Sequence, residues 1–314
     1  MSWVPVVDLG AADAVAAVAD ACERVGFLTV VGHGVPDEVV QGGWDSARQF
    51  FDLPLADRMR VAMPRPGYPY GYSPVRGETL SASLGKGGHP DLKQSFAIGP
   101  VDPAMHAFAD PDEAFAWSPN LWPEALPAMR PAWEAYYRAM ADLSARLLRV
   151  MALALDLPER HFDPLIGRHT SAMRALDYPP AGEDGVAADG QLGASAHTDY
   201  GTLTVLLADT TQGGLQVQDA DGGWHDAMPV PGSLVVNLGD AMARWTNDRW
   251  RSTMHRVVVP ERRRQSIAFF HNANWDALIE CIPSCREPGA SPRYAPMAAG
   301  PHLMHKFRST VNTY

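Results

Sequence analysis

From Leu203 to His271 the chain breaks into short segments rich in β-branched and aromatic residues. They are 203 to 208, Leu215–Gln218, Trp224–Ala227, Ser233–Asn237, 254 to 259 and 264 to 271, each bounded by Gly, Pro, Asp or Asn. Runs this short, recurring at ~10-residue steps, are strands joined by tight turns rather than helices. A chain punctuated in this way closes into a sandwich or barrel, where antiparallel strands return to the same place. Residues far apart in sequence can then share one site.

The stretch His197-Thr198-Asp199-Tyr200-Gly201-Thr202-Leu203 to Leu207 reads as a strand, with turn-like residues before it (Gly193–Ala196) and after it (Asp209–Gly214). On a strand, His197 and Asp199 point to one face. They make up two parts of a 2-His-1-carboxylate set, which leaves adjacent positions open on a non-haem Fe(II). The third ligand must come from another strand. His255 fits, because it opens the β-branched run Met254–Val259 that Pro260 closes. His225, beside a hairpin turn, and His271, at a strand end where it would face substrate, lack an acidic residue two positions on. His33, between two glycines, reads as a structural hydrogen-bonding residue. In Arg264–Phe270 the same alternation puts Arg264 and Ser266 on one face, offering a guanidinium fork and a hydroxyl to a carboxylate. An iron triad beside such a clamp suggests a dicarboxylate cosubstrate.

On His197-Thr198-Asp199, His255-Arg256-Val257 and Arg264-Gln265-Ser266 the sequence resembles the iron- and 2-oxoglutarate-dependent oxygenases of the isopenicillin N synthase-like group. Supporting stretches are Gly26-Phe27, His33-Gly34-Val35-Pro36, Asp91-Leu92-Lys93, Asp177-Tyr178-Pro179-Pro180 and Val235–Asp240. The resemblance implies a double-stranded β-helix (jelly roll) with flanking helices. It also implies Fe(II), 2-oxoglutarate as cosubstrate and O2, with release of succinate and CO2 as a C–H bond of substrate is oxidised by hydroxylation, desaturation or cyclisation. It puts Tyr178 with Arg264 and Ser266 on the far carboxylate of 2-oxoglutarate, and Asp91–Phe96 on a strand lining the substrate side. Leu176 stands where plant relatives often carry Asn, and Gln94 where the family more often has Glu, so part of that pattern is replaced. Two other readings stay open. One is an oxidase of the same fold that uses no 2-oxoglutarate, and the other is a jelly roll that has become a binding module without turnover. Zinc or copper could also occupy the site, since Fe(II) binds more weakly in the divalent series.

Candidate substrate contacts are polar (Arg76, Glu78, Lys93, Arg174) or aromatic (Tyr68, Tyr72, Phe96, Phe270), with Arg174, Phe96 and Phe270 the ones carried forward. A formal net charge of −10 provides no basic footprint for nucleic acid or an anionic membrane. The partner expected is a small molecule, and nothing in the pattern sets an oligomeric state. Cys22, Cys281 and Cys285 are too few and irregular for a disulfide framework or a zinc site, which fits a reducing cytoplasm. The N-terminus has no signal-peptide pattern, and no run approaches a membrane span.

The 314 residues read as a single domain. Its parts are an N-terminal α/β and loop region (1–120), a long helix (121–158, its apolar period running 124–157), the jelly-roll core (170–271) and a C-terminal extension (272–314). The apolar stripe Trp133, Tyr136, Tyr137, Met140, Leu143, Leu147, Leu148, Met151 recurs at three- and four-residue steps, as a helix packing on a sheet requires. Residues 64 to 120, rich in Pro and Gly, read as loop with a few short strands, 181 to 190 as a solvent loop, and Arg262-Arg263-Arg264 as a charged turn in which only Arg264 has a positioned partner.

Overall fold

The computed structural model describes residues 3–310 except 66, 78, 81–88, 106 and 181–189. Glu78, Lys86 and nearly all of the segment 181–190 therefore lie outside the described residues.

The N-terminal region supplies β1 (Val6–Asp8), α1 (Ala14–Arg24), β2 (Phe27–Val31), α2 (Asp37–Asp52), α3 (Leu55–Met59), β3 (Gly71–Ser73), β4 (Gln94–Ile98) and α4 (Pro111–Ala116). Gly26 stops α1 with φ +70°, and a Cβ there would lie 2.4 Å from the Arg251 carbonyl oxygen. Then come α5 (Met129–Ala154), α6 (Asp163–Ile166), β5 (Ala172–Tyr178), β6 (Ala194–His197), β7 (Leu203–Ala208), β8 (Leu215–Gln218), β9 (Trp224–Asp226), β10 (Leu234–Leu238), α7 (Asp240–Trp245), β11 (His255–Val257) and β12 (Arg264–His271). The C-terminal extension folds as β13 (Leu278–Ile279), β14 (Met297–Ala298) and α8 (Ala299–Thr310).

Eight strands form the major sheet in the order β1-β2-β10-β7-β12-β5-β4-β3, and β6-β11-β8-β9 form the minor one. The two face each other across an apolar layer containing Phe27, Leu176, Tyr178, Leu215, Val217, Val235, Val257 and Ala268, with Phe270 packed at its margin. This is the jelly roll expected from the sequence, its major sheet widened by four N-terminal strands. The outer face of the major sheet is covered by α5, which packs on β7 and β12 and also on α1 and α2. The whole predicted stripe from Trp133 to Met151 is buried there. The helix starts at Met129 rather than near 124, because Pro127 biases Leu126 away from helical geometry. It ends at Ala154, with Asp156 at φ +58°.

One sequence expectation is corrected here. Residues 197 to 207 are not a continuous strand: β6 ends at His197 in the minor sheet and β7 starts at Leu203 in the major one. The chain crosses between sheets over 198–202, and Asp199 lies on that crossing. Close backbone approach fixes the crossing, since a Cβ on Gly201 would sit 2.3 Å from the His271 carbonyl oxygen. The Thr202 amide donates to that same carbonyl at 2.9 Å. Over the crossing lies α8, whose His302 Nε2 donates to the Tyr200 carbonyl at 3.2 Å and whose Lys306 pairs with Asp240 at 2.7 Å. Arg263 is likewise no solvated turn residue, because it bonds Asp177 at 2.7 Å and also reaches Asp52. No helix among the described residues is long and apolar enough to cross a membrane.

Burial of histidines sets an acid limit on this fold. It pushes His169 and His302 down to about 4 and His271 well below its ordinary value. Each is neutral when folded and titrates near 6.5 when unfolded, so acid favours the unfolded chain. Their contribution is complete above pH ~6.5 and falls by about 1.4 kcal/mol per pH unit for each histidine between there and ~4. Denaturant midpoints of metal-free protein should therefore be flat from pH 8 to 7 and drop steeply from 6.5 to 5. A midpoint unchanged over the lower range would contradict this burial.

Candidate metal centre

Among the described residues, one group of His, Cys, Asp or Glu side chains could hold a metal ion: His197, Asp199 and His255, with ligand atoms within 4.8 Å of one another. His197 and His255 face each other as Cα partners across β6 and β11, their rings 4.3 Å apart. Each turns its Nδ1 to a backbone carbonyl, Ser195 O at 2.7 Å for His197 and Thr253 O at 3.1 Å for His255. That contact makes Nδ1 the protonated nitrogen and leaves Nε2 bare as a ligand. Both Nε2 atoms lie 3.8 Å from Asp199 Oδ1. Asp199 gives its other oxygen to Thr204 Oγ1 at 2.6 Å and Asn237 Nδ2 at 2.7 Å, so Oδ1 is aimed inward.

The charge state suits a cation. Burial, reinforced by His255, pushes His197 down to about 4, so its imidazole is neutral at pH 7. Burial alone would raise the Asp199 carboxyl, but the two imidazoles and the Asn237 and Thr204 bonds more than offset it, and the group stays below the usual carboxylate range. Two imidazole nitrogens and one carboxylate are the donor set of a non-haem Fe(II) facial triad.

Between the sheets, Arg264 opens β12 opposite Tyr178 of β5, and Ser266 stands two residues on, paired with Leu176 and Ala208. Arg264 is 2 % exposed, yet its Nε and Nη1 have no hydrogen-bond partner among the described residues. Its guanidinium lies 5.1 Å over the Tyr178 ring. A buried, half-satisfied guanidinium is costly unless an anion completes it. The site thus fits a carboxylate ligand on the side of the layer where Ser266 also points.

Arg174 belongs to the same inward file as Leu176 and Tyr178, and its register partners are Ala268 and Ala97. Phe270 pairs with Thr204, the residue that donates to Asp199. Phe96 is corrected: it is fully buried on the opposite face of the sheet, among Phe50 at 4.6 Å and Trp133 at 5.2 Å, and cannot line the layer between the sheets. Tyr72, beside it in register, joins that outer core too. His271 is corrected likewise, since it is buried with Thr202 Oγ1 2.7 Å from its Nδ1 and the tilted ring of His169 5.3 Å away. His225 bonds Asp219 at 2.5 Å and stacks on Trp3, away from the triad. His33 is the structural residue expected, accepting from the Val35 amide and donating to the Gly232 carbonyl. The sequence reading missed Thr204 and Asn237. Asn237 did leave a signal, as the one polar side chain in the otherwise apolar β10.

Comparison with known proteins agrees with this geometry. The model of the 2OG-Fe(II) oxygenase superfamily matches residues 169–273, and that of the non-haem dioxygenase in morphine synthesis N-terminal region matches residues 4–125. The chain is 39% identical over 287 residues to a 2-oxoglutarate-Fe(II) type oxidoreductase of Emericella nidulans, covering 89% of this chain and 80% of that protein. It is 34% identical over 292 residues to a homoarginine-6-hydroxylase of Oryza sativa subsp. japonica, covering 91% and 86%. A full-length Neurospora crassa protein solved in complex with alpha-KG and thymine superposes with a TM-score of 0.83, at 28% identity, over 98% of this chain and 96% of that one.

Proposed function

This chain belongs to the 2OG-Fe(II) oxygenase superfamily, in its isopenicillin N synthase-like group, and we propose that His197, Asp199 and His255 hold its Fe(II) while Arg264, Ser266 and Tyr178 receive its 2-oxoglutarate. It is a 2-oxoglutarate-dependent dioxygenase that uses Fe(II) and O2. When bound, Fe(II) would activate O2, the four-electron oxidant, with two electrons drawn from 2-oxoglutarate as it becomes succinate and CO2 and two from a C–H bond of the substrate. The chain's own residues do the rest. The two Nδ1 contacts fix both imidazoles with Nε2 presented to the ion, and Thr204 and Asn237 keep Asp199 ionised and aimed. Arg264 anchors the far carboxylate, and the apolar layer between the sheets excludes water from the reacting centre.

The observation that carries the cosubstrate assignment is the orphaned, buried Arg264 guanidinium, which favours a carboxylate-bearing cosubstrate over chemistry that uses none.

For the substrate we infer a small polar molecule presenting a carboxylate or amide-type carbonyl to Arg174. That residue shares the inward file of β5 with Leu176 and Tyr178, has Ala97 and Ala268 as register partners, and stands one step along the strand from the Phe270–Thr204 pair beside Asp199. Homoarginine and thymine, named with two relatives, both offer such acceptors. The three unpaired thiols support a reducing cytoplasm as the setting. The test is a screen of amino acids and carbonyl-bearing nitrogen heterocycles by succinate release, run on wild type and Arg174→Met. The expected result is a hit whose KM rises about tenfold or more in the variant, as loss of a charged hydrogen bond implies, with 2-oxoglutarate binding unchanged. A hit turned over equally well by both proteins would contradict the assignment.

A further inference from the structure

Strand pairing does not account for how His197 is held. β6 is the edge strand of the minor sheet, and its pairing with β11 is irregular: His197 matches His255 and Ala194 matches Val257, so β6 spends one residue more than β11 over the same span. Such a bulge unpairs the extra residue and frees the local backbone to turn. Ser195 lies in it, and Ser195 supplies the carbonyl that orients His197 Nδ1 at 2.7 Å.

What fixes Ser195 comes from outside the sheet. Asp91, 1 % exposed, accepts from the Ser195 amide at 2.9 Å and from its hydroxyl at 2.6 Å, both on Oδ1. Its Oδ2 accepts from buried Lys93 Nζ at 3.0 Å and from the Leu80 amide at 3.2 Å. Beside it the Leu92 amide donates to the Leu192 carbonyl at 3.0 Å, and Gln191 Nε2 to the Pro90 carbonyl at 2.8 Å. The segment before β4 is thus clipped along the approach to β6.

We propose that Asp91 is a positioning residue for the metal centre, gripping the β6 bulge so that the Ser195 carbonyl holds His197 with Nε2 presented to the ion. The proposal rests on the assignment of His197 as a ligand. Asp91 touches neither metal nor cosubstrate. A carboxylate suits the role because one oxygen can take both Ser195 donors while the other stays neutralised by Lys93, so the grip needs no solvent.

The test uses Mn(II) as probe and the electron paramagnetic resonance signal of unbound Mn(II) as readout, on full-length metal-free protein, with thermal unfolding measured in parallel. Asp91→Ala is expected to weaken Mn(II) binding about tenfold or more, the scale of lost ligand support. Asp91→Asn, whose amide oxygen still accepts, should lie between it and wild type, and Ser195→Ala, which keeps the backbone donor, should lose a few-fold. Asp177→Asn is the control. It removes the charge of a buried carboxylate that bonds Gln94 and Arg263 on the outer face, so it should lower the unfolding temperature and leave Mn(II) affinity unchanged. If Asp91→Ala does not fold, Asp91→Asn and Ser195→Ala decide. Folded variants that bind Mn(II) within about twofold of wild type would overturn the proposal and leave Asp91 a structural residue only. Wild-type protein that fails to withdraw Mn(II) from solution would overturn the ligand assignment, and this inference with it.

Discussion

Replacing Asp199 by alanine should abolish metal binding and reduce turnover by about a thousandfold or more, an effect of about 4 kcal/mol or larger. The side chain is the only anion among the three candidate ligands, and its Oδ1 is the atom both imidazoles converge on. Its loss leaves two imidazole nitrogens, too weak a set to retain Fe(II). The variant should also be less stable without metal. Thr204 Oγ1 and Asn237 Nδ2 are buried and both donate to Asp199 Oδ2, so they would lose their acceptor at a cost of about 1–3 kcal/mol each unless water enters. Metal titration and unfolding on the same sample separate the two losses. A variant that keeps Mn(II) affinity would show that the ion sits elsewhere.

Arg264→Met should move stability and cosubstrate affinity in opposite directions. In the ligand-free protein the guanidinium is buried with two nitrogens unpartnered, so an apolar side chain of similar length should raise stability, by about 1 kcal/mol or more. With 2-oxoglutarate present the sign reverses. Wild type should gain about 2.7 kcal/mol at a hundredfold excess over its dissociation constant, whereas the variant should gain almost nothing at that concentration. Loss of a buried charged hydrogen-bond pair, about 3 kcal/mol, corresponds to roughly 100-fold weaker 2-oxoglutarate binding. Unfolding of Mn(II)-loaded protein across a 2-oxoglutarate series measures both effects. A variant destabilised without ligand and still stabilised with it would mean that Arg264 is a structural residue and the far carboxylate binds elsewhere.

Much of the site was legible because its chemistry is carried by local pattern. Turn residues at regular steps announced a sandwich or barrel, which the family resemblance narrowed to a jelly roll, and an acid two residues after a histidine in a β-rich stretch announced two of the ligands. What escaped was tertiary. Threonine and leucine in 202 to 207 have strand propensity whichever sheet they enter, and only the approach of Gly201 to the His271 carbonyl marks the crossing on which Asp199 sits. Alternation told that Arg264 and Ser266 share a face of β12 but not that the other face of that sheet would be covered by α5. In a sheet buried on both sides an apolar residue such as Phe96 does not reveal which side it serves. Arg263 read as a solvated turn because Asp52 and Asp177 reach it only through the fold. Thr204, Asn237 and Asp91 act by holding other side chains, a role no spacing rule encodes.

The central claim, that the His197, Asp199 and His255 centre binds iron beside an Arg264 carboxylate anchor, is tested most directly without oxygen. Fe(II) and then 2-oxoglutarate are added to metal-free protein, and the weak visible charge-transfer band of iron-chelated 2-oxoglutarate is followed in wild type, His197→Ala and Arg264→Met. The expected result is a band in wild type, none in His197→Ala, and a band in Arg264→Met that needs roughly 100-fold more 2-oxoglutarate. Wild-type protein that binds iron yet shows no band with excess 2-oxoglutarate, or a band of full strength in His197→Ala, would contradict the claim.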